Sequence, residues 1–158
     1  MTIAHQLFTE LAQSEATLSV AESCTGGGLA NEITKHAGIS RVFLGSITSY
    51  ANQVKERLLH IPHQLLEEKG AVSEEVALLM AQNCRDLFSS TWALSTTGIA
   101  GPTGATKDKP LGLVFIGIAG PNIVLAKRFV FANSTRLEHR EKTIMQAFLL
   151  LQELILAG

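Results

Sequence analysis

The stretch Ala21-Glu22-Ser23-Cys24-Thr25-Gly26-Gly27-Gly28 sets two hydroxyls and a thiol beside three glycines. It follows Thr17-Leu18-Ser19-Val20, which alternates as a strand does. It precedes Leu29, Ala30, Ile33 and Ala37, apolar residues at helical spacing. This predicts a strand-to-helix turn with Ser23 at or near the helix N-terminus, where unpaired N–H groups and the helix dipole favour an anion or a developing oxyanion. Two roles are open to Ser23 on this pattern: a nucleophile, or a helix cap, which Thr25 would serve equally well. Cys24 competes as nucleophile, since a thiol at a helix N-terminus has a depressed pKa, and it is also a natural small packing residue.

A serine hydroxyl attacks only with a base in reach. His5, His36, His60, His63 and His139 all fall in or beside predicted helices or turns, none at a strand end near Ser23, so a histidine triad has no support. Lysine can serve once burial or a neighbouring cation lowers its pKa from about 10.4. Lys55 follows the C-terminal end of the second predicted strand, and strand ends are where sites gather in open α/β sheets. Tyr50, five residues earlier, offers a hydroxyl to relay a proton or orient the lysine. The plain alternatives are an exposed Lys55 paired with Glu56 or Glu67, and a Tyr50 packed at a strand end.

An anionic substrate needs donors. The loop from Gly98 through Gly101 and Gly104 to Pro110 is rich enough in glycine for its N–H groups to approach a phosphate or carboxylate, yet it matches neither a Walker loop nor GxGxxG. Thr96, Thr97 and Lys109 add hydroxyls and charge if it folds over a ligand; otherwise it is a long surface loop. Arg136 and Arg140 share a helix face and can grip an anion through their guanidinium forks, or simply sit at the surface beside Glu138 and Glu141. His60 and His63 have no carboxylate or cysteine at ligand spacing, and no metal site is expected.

The elements that must hold these residues are a helix over 2–14, strands over 17–20 and 42–50, helices over 52–59 and 74–88, and a strand over 92–96. Two further strands over 111–119 and 123–131 form a hairpin through Gly120-Pro121-Asn122, and a last helix runs over 134–156. Gly38 is expected to close the helix that begins after Ser23. The fold class predicted is α/β: a three-layer α/β/α sandwich with a mixed sheet of about five strands, C-terminal hairpin strands and a long C-terminal helix. That helix is apolar over more than half its circumference, which predicts burial on two sides or a homodimer contact.

A chain of 158 residues with 46% hydrophobic and 17% charged residues fits a single domain, 1–158, with a substantial core. A net charge of −1 and sparse aromatics argue against nucleic acid as partner. The longest apolar cluster, 147–156, is broken by Gln152 and Glu153 and is too short to span a bilayer. Two cysteines outside any CxxC pair and no signal-like N-terminus make a cytoplasmic location the expectation.

In Ala21-Glu22-Ser23-Cys24-Thr25-Gly26-Gly27, Tyr50 with Asn52 and Lys55, Gly70-Ala71-Val72-Ser73-Glu74, Gly98-Ile99-Ala100-Gly101-Pro102 and Lys109-Pro110-Leu111-Gly112, the chain resembles the C-terminal domain of the competence/damage-inducible protein CinA. Its stand-alone form is nicotinamide-nucleotide amidase. The matching stretches run in order over nearly the whole chain. The resemblance implies hydrolysis of nicotinamide mononucleotide to nicotinic acid mononucleotide and ammonia, within pyridine-nucleotide recycling and with no metal or other cofactor. It implies Ser23 as nucleophile, Lys55 as base and Tyr50 assisting proton transfer. Substrate contacts are expected from Thr25, Gly26, Gly27, Thr97, Gly98 and Gly101, with Arg136 and Arg140 at the phosphate and pyridine ends. The oxyanion hole is expected in the N–H groups of Cys24 to Gly27. The chain departs from the family pattern at Ala51-Asn52-Gln53-Val54-Lys55 and at Asn133-Ser134-Thr135-Arg136. The second change leaves open which of the two arginines meets substrate. A start almost directly at the amidase-like domain suggests the stand-alone form, and a silent nucleotide-binding or regulatory module of the same fold is the alternative.

Overall fold

The computed structural model describes residues 1–158. In chain order the elements are α1 (Ile3–Gln13), β1 (Leu18–Glu22), α2 (Gly28–Thr34), a 3₁₀ turn (Ile39–Arg41), β2 (Phe43–Thr48), α3 (Asn52–Leu59), α4 (His63–Lys69), α5 (Glu74–Phe88), β3 (Trp92–Gly98), β4 (Leu113–Ala119), β5 (Val124–Val130) and α6 (Arg136–Ala157). One sheet in the order β2-β1-β3-β4-β5 carries them; β2, β1 and β3 are parallel, and β4 and β5 run antiparallel.

Apolar faces decide the layers. Leu7 and Leu11 of α1, Leu29 and Ile33 of α2 and Ala147, Phe148 and Leu151 of α6 bury against Leu18, Val20, Leu94 and Ile116 of the sheet. On the other face Leu59, Leu66, Val76, Met80 and Cys84 from α3 to α5 pack on Ala21 and Ala93. The result is the predicted three-layer α/β/α sandwich. Gly117 lets α5 lie close to the sheet, since a Cβ there would come within 2.2 Å of the Ala77 carbonyl oxygen. Local signals start the helices where the chain needs them. Ser73 accepts the Val76 N–H ahead of α5, and Thr135 with Glu138 forms a capping box on α6.

Two features differ from the sequence reading. Helix α4 over His63–Lys69 stands between the predicted helices 52–59 and 74–88, where no element is expected; it is a short helix of weak pattern, with Leu66 its single buried residue. Helix α2 ends at Thr34, before Gly38, and Gly38 instead opens the 3₁₀ turn. The broad apolar surface of α6 takes the first of its two expected roles, packing on the sheet with α1 and α2 alongside, and leaves Leu137, Met145, Leu149 and Leu156 exposed. No helix is long and apolar enough to cross a membrane.

The connections fix where a site can form. From β1 the chain reaches β2 through α2 on one face, then returns to β3 through α3, α4 and α5 on the other. The crossovers therefore part at β1, and the crevice beyond the carboxyl ends of the strands opens at that switch point. Thr48, Glu22 and Thr96 lie in register across β2, β1 and β3. The next residues along these strands, Ser49, Ser23 and Thr97, are thereby set side by side.

Candidate active site

Ser23 leaves β1 with its N–H donating to the Thr96 carbonyl at 2.9 Å and is 8% exposed. Lys55 lies in the first turn of α3 and is 1% exposed, among the largest fully buried side chains of the chain. Three oxygens surround its Nζ: Ser49 carbonyl at 2.7 Å, Tyr50 carbonyl at 3.0 Å and Ser23 Oγ at 3.0 Å. Burial is the main cause that pushes the Lys55 ammonium down from its ordinary 10.5 to about 8. A neutral amine has two hydrogens and one lone pair. As the ammonium, Lys55 donates to all three oxygens; once deprotonated, with its two hydrogens kept on the carbonyls, its lone pair faces the Ser23 hydroxyl.

These atoms open on a cavity of about 310 Å³ whose wall includes Ser23, Tyr50, Lys55, Thr97, Gly98, Gly101 and Arg136. Seven residues predicted from sequence thus converge here. Tyr50 contributes differently from the expectation. Its carbonyl, rather than its hydroxyl, orients Lys55, while its 60% exposed side chain accepts Arg136 Nη2 at 3.0 Å on the phenol oxygen. The Tyr50 O–H itself donates to no protein acceptor. Arg136 Nη1 donates to the Gly101 carbonyl at 2.8 Å, so this arginine spans the mouth between Tyr50 and the glycine loop. Thr97 donates its hydroxyl to the Ala71 carbonyl at 2.8 Å.

The other predicted contacts lie behind the turn. Ser23 is neither helix cap nor at the dipole end, because α2 starts only at Gly28, with Gly27 as its N-cap at φ +94°. The Glu22 carboxylate fills that helix end instead, accepting Leu29 N–H at 2.7 Å and Ala30 N–H at 3.1 Å. It also accepts the Thr25 hydroxyl at 2.6 Å, so fully buried Thr25 is a structural residue. Gly26 faces Arg140, whose Nη2 would lie 3.4 Å from a Cβ placed there, and Arg140 Nη2 donates to the Thr25 carbonyl at 2.9 Å. One helical turn separates the two arginines, so Arg136 reaches over the cavity and Arg140 meets the back of the turn. Thr25, Gly26, Gly27 and Arg140 do not line the cavity. Lys109 also points away, to the Lys69 carbonyl.

Of the two roles open to Cys24, the structure favours packing over a thiolate, although the residue also touches the cavity wall. Burial pushes its thiol up to about 12, and it packs in the core. Of the amides in the turn, Gly26 donates to the Ser23 carbonyl at 3.0 Å and Gly28 to the Thr25 carbonyl at 2.9 Å. Those of Cys24 and Thr25, which come directly after the serine, have no protein acceptor. Sequence reasoning missed Glu22 and the Ser49 carbonyl. A lone acid ending an apolar strand just before a helix start was the available signal for Glu22; a backbone acceptor such as Ser49 leaves none.

A family profile described as CinA C-terminal domain matches residues 1–155. Among curated relatives, a CinA-like protein of Geotalea uraniireducens is 50% identical over 130 residues, covering 82% of this chain and 30% of the relative. One from Prochlorococcus marinus (strain MIT 9515) is 47% identical over 135 residues, covering 85% and 31%. The chain spans about a third of the length of these relatives. Among solved structures, competence/damage inducible protein CihA from Agrobacterium tumefaciens superposes with a TM-score of 0.93 at 34% identity, over 96% of this chain and 93% of that one. A CinA superfamily protein from Escherichia coli gives 0.92 at 26% identity, over 96% and 88%.

Proposed function

The chain belongs to the CinA C-terminal domain family, and from that premise we propose that it hydrolyses the carboxamide of nicotinamide mononucleotide, giving nicotinic acid mononucleotide and ammonia. The observation that carries this reading is the 3.0 Å contact between Lys55 Nζ and Ser23 Oγ at the floor of the cavity.

Neutral Lys55 takes the Ser23 proton as Oγ attacks the carboxamide carbon. The negative charge that develops on the carbonyl oxygen is met by the unspent amides of Cys24 and Thr25, an arrangement that typically contributes about 3 kcal/mol per donor. When the tetrahedral intermediate collapses, the C–N bond breaks and ammonia leaves with a proton delivered from Lys55, assisted by the free Tyr50 O–H. Water then attacks the acyl-serine as Lys55 accepts its proton, and when the second tetrahedral intermediate collapses Lys55 returns that proton to Ser23 Oγ as the acid departs. Arg136 still has donors to offer after its bonds to Gly101 and Tyr50, and with the amides of the Gly98–Gly104 loop it is placed to hold the phosphate. No step uses a metal ion.

The test is ammonia release from nicotinamide mononucleotide by the purified chain in the presence of a chelator. Turnover is expected. Binding of the nucleotide without ammonia would identify a catalytically silent nucleotide-binding module instead.

A further inference from the structure

The residue before the nucleophile is a carboxylic acid with no exposed surface, and its side-chain partners all belong to the segment after the serine. Glu22 Oε1 accepts the Thr25 hydroxyl at 2.6 Å and the Leu29 N–H at 2.7 Å, and Oε2 accepts the Ala30 N–H at 3.1 Å. Thr25 is tied onward to Thr96 of β3 at 2.8 Å between hydroxyl oxygens. The Glu22 main chain works towards the other partner of the dyad: its carbonyl accepts the Ser49 N–H at 2.8 Å, and the Ser49 carbonyl accepts Lys55 Nζ at 2.7 Å. Burying a carboxylate is costly unless its oxygens are satisfied, and here a helix N-terminus and a hydroxyl satisfy them.

We propose that Glu22 is the positioning residue of the Ser23–Lys55 dyad: its carboxylate clamps the Ser23–Gly28 turn onto the start of α2 and so holds Ser23 Oγ at the lysine nitrogen. The claim rests on the reading of Ser23 as nucleophile. Glu22 touches neither dyad side chain and acts through the turn. The turn's own bonds are Gly26 to Ser23 and Gly28 to Thr25; from outside, Arg140 donates to the Thr25 carbonyl, and Thr96 accepts the Ser23 N–H and meets the Thr25 hydroxyl. Only Glu22 joins both ends of the segment.

Glu22→Gln tests this with little change of shape. Its amide oxygen can keep the Thr25 and Leu29 bonds, but its NH₂ then meets the Ala30 N–H donor to donor. The readout is the rate at which a fluorophosphonate labels Ser23, a reaction in which Oγ displaces fluoride from phosphorus and which needs no natural substrate. Glu22→Gln is expected to slow labelling about 10-fold or more, in line with the rate cost of misplacing a reacting group. The pH midpoint of labelling should stay at the wild-type value, because the base is unchanged. Ile118→Val, in the core, gives a stability control whose labelling rate should stay at wild type. Thr25→Val, which loses one clamp bond, should slow labelling less, and combined with Glu22→Gln should cost less than the two added together. Labelling of Glu22→Gln at the wild-type rate, or a loss accounted for entirely by a moved midpoint, overturns the positioning role while leaving the nucleophile in place. A wild-type chain that takes no label overturns the nucleophile reading itself, and this inference with it.

Discussion

Lys55 Nζ lies 3.0 Å from Ser23 Oγ and is held there by two main-chain carbonyls, those of Ser49 and Tyr50. The two residues stand just beyond strands β1 and β2, which are neighbours in the sheet, yet they are 32 residues apart in the chain. A buried amine whose hydrogens are already committed is a base with its lone pair prepositioned, and that is what an otherwise weak serine nucleophile requires.

The state of Lys55 sets the pH response. With the ammonium lowered to about 8 by burial, kcat/KM should rise with pH through about 8 as the amine becomes neutral. Lys55→Arg, which stays charged, should abolish the activity. Stability should track the same group. The unfolded chain keeps this lysine protonated up to about 10.5 while the native state releases the proton near 8, so between these values unfolding takes up a proton and native stability rises with pH. Denaturant titrations at about pH 7.5 and 10, on either side of most of that window, compared with Lys55→Met, isolate this contribution. No rise relative to the variant would contradict it.

The two arginines of α6 should separate kinetically. Arg136 faces the cavity, so Arg136→Ala should raise KM about 10-fold or more, as expected for loss of a charged hydrogen bond to an anion. Arg140 holds the Thr25 carbonyl behind the nucleophile turn, so Arg140→Ala should lower kcat and the melting temperature and leave KM nearly unchanged. Steady-state kinetics on both variants checks the split; the reverse pattern would exchange their roles.

Acid should weaken the fold through His139. This ring is fully buried, edge-on to Phe131, and burial, aided by the nearby Arg136 and Lys142, holds its pKa below the ordinary 6.5. As pH falls below about 6.5 the unfolded chain takes up the proton that the native state resists, so stability is lost in that direction. His139→Leu should flatten the loss in thermal melts between about pH 7 and 5. An unchanged acid slope would place the effect elsewhere.

Much of this was legible in the sequence where the signals are local or periodic. The bounds of α3 and α5 can be read directly from the chain: Ser73 with Glu74 and Glu75 announces α5, and Pro62 keeps α3 from running on. The three-layer sandwich comes from the alternation of strands and helices. Ser23, Tyr50, Lys55, Thr97 and Arg136 were also nameable, though resemblance to a family, more than spacing, was what singled them out. What the chain did not show is direction. Arg136 and Arg140 look alike in sequence, and only the line of α6 across the site separates the one over the cavity from the one behind the turn. The same holds for Glu22, whose carboxylate takes the helix end that the strand-to-helix pattern assigns to Ser23. Main-chain acceptors such as Ser49 carry no residue signature, because any amino acid supplies the same carbonyl.

The central claim is that Ser23 makes the acyl bond. The measurement that reaches it most directly is ammonia release from nicotinamide mononucleotide by Ser23→Ala and Cys24→Ala beside the wild type, with circular dichroism to confirm the fold. The Ser23→Ala protein should fold and release ammonia at least about 10³-fold more slowly, while Cys24→Ala keeps most of the activity. Undiminished turnover by Ser23→Ala, or loss confined to Cys24→Ala, would contradict the mechanism.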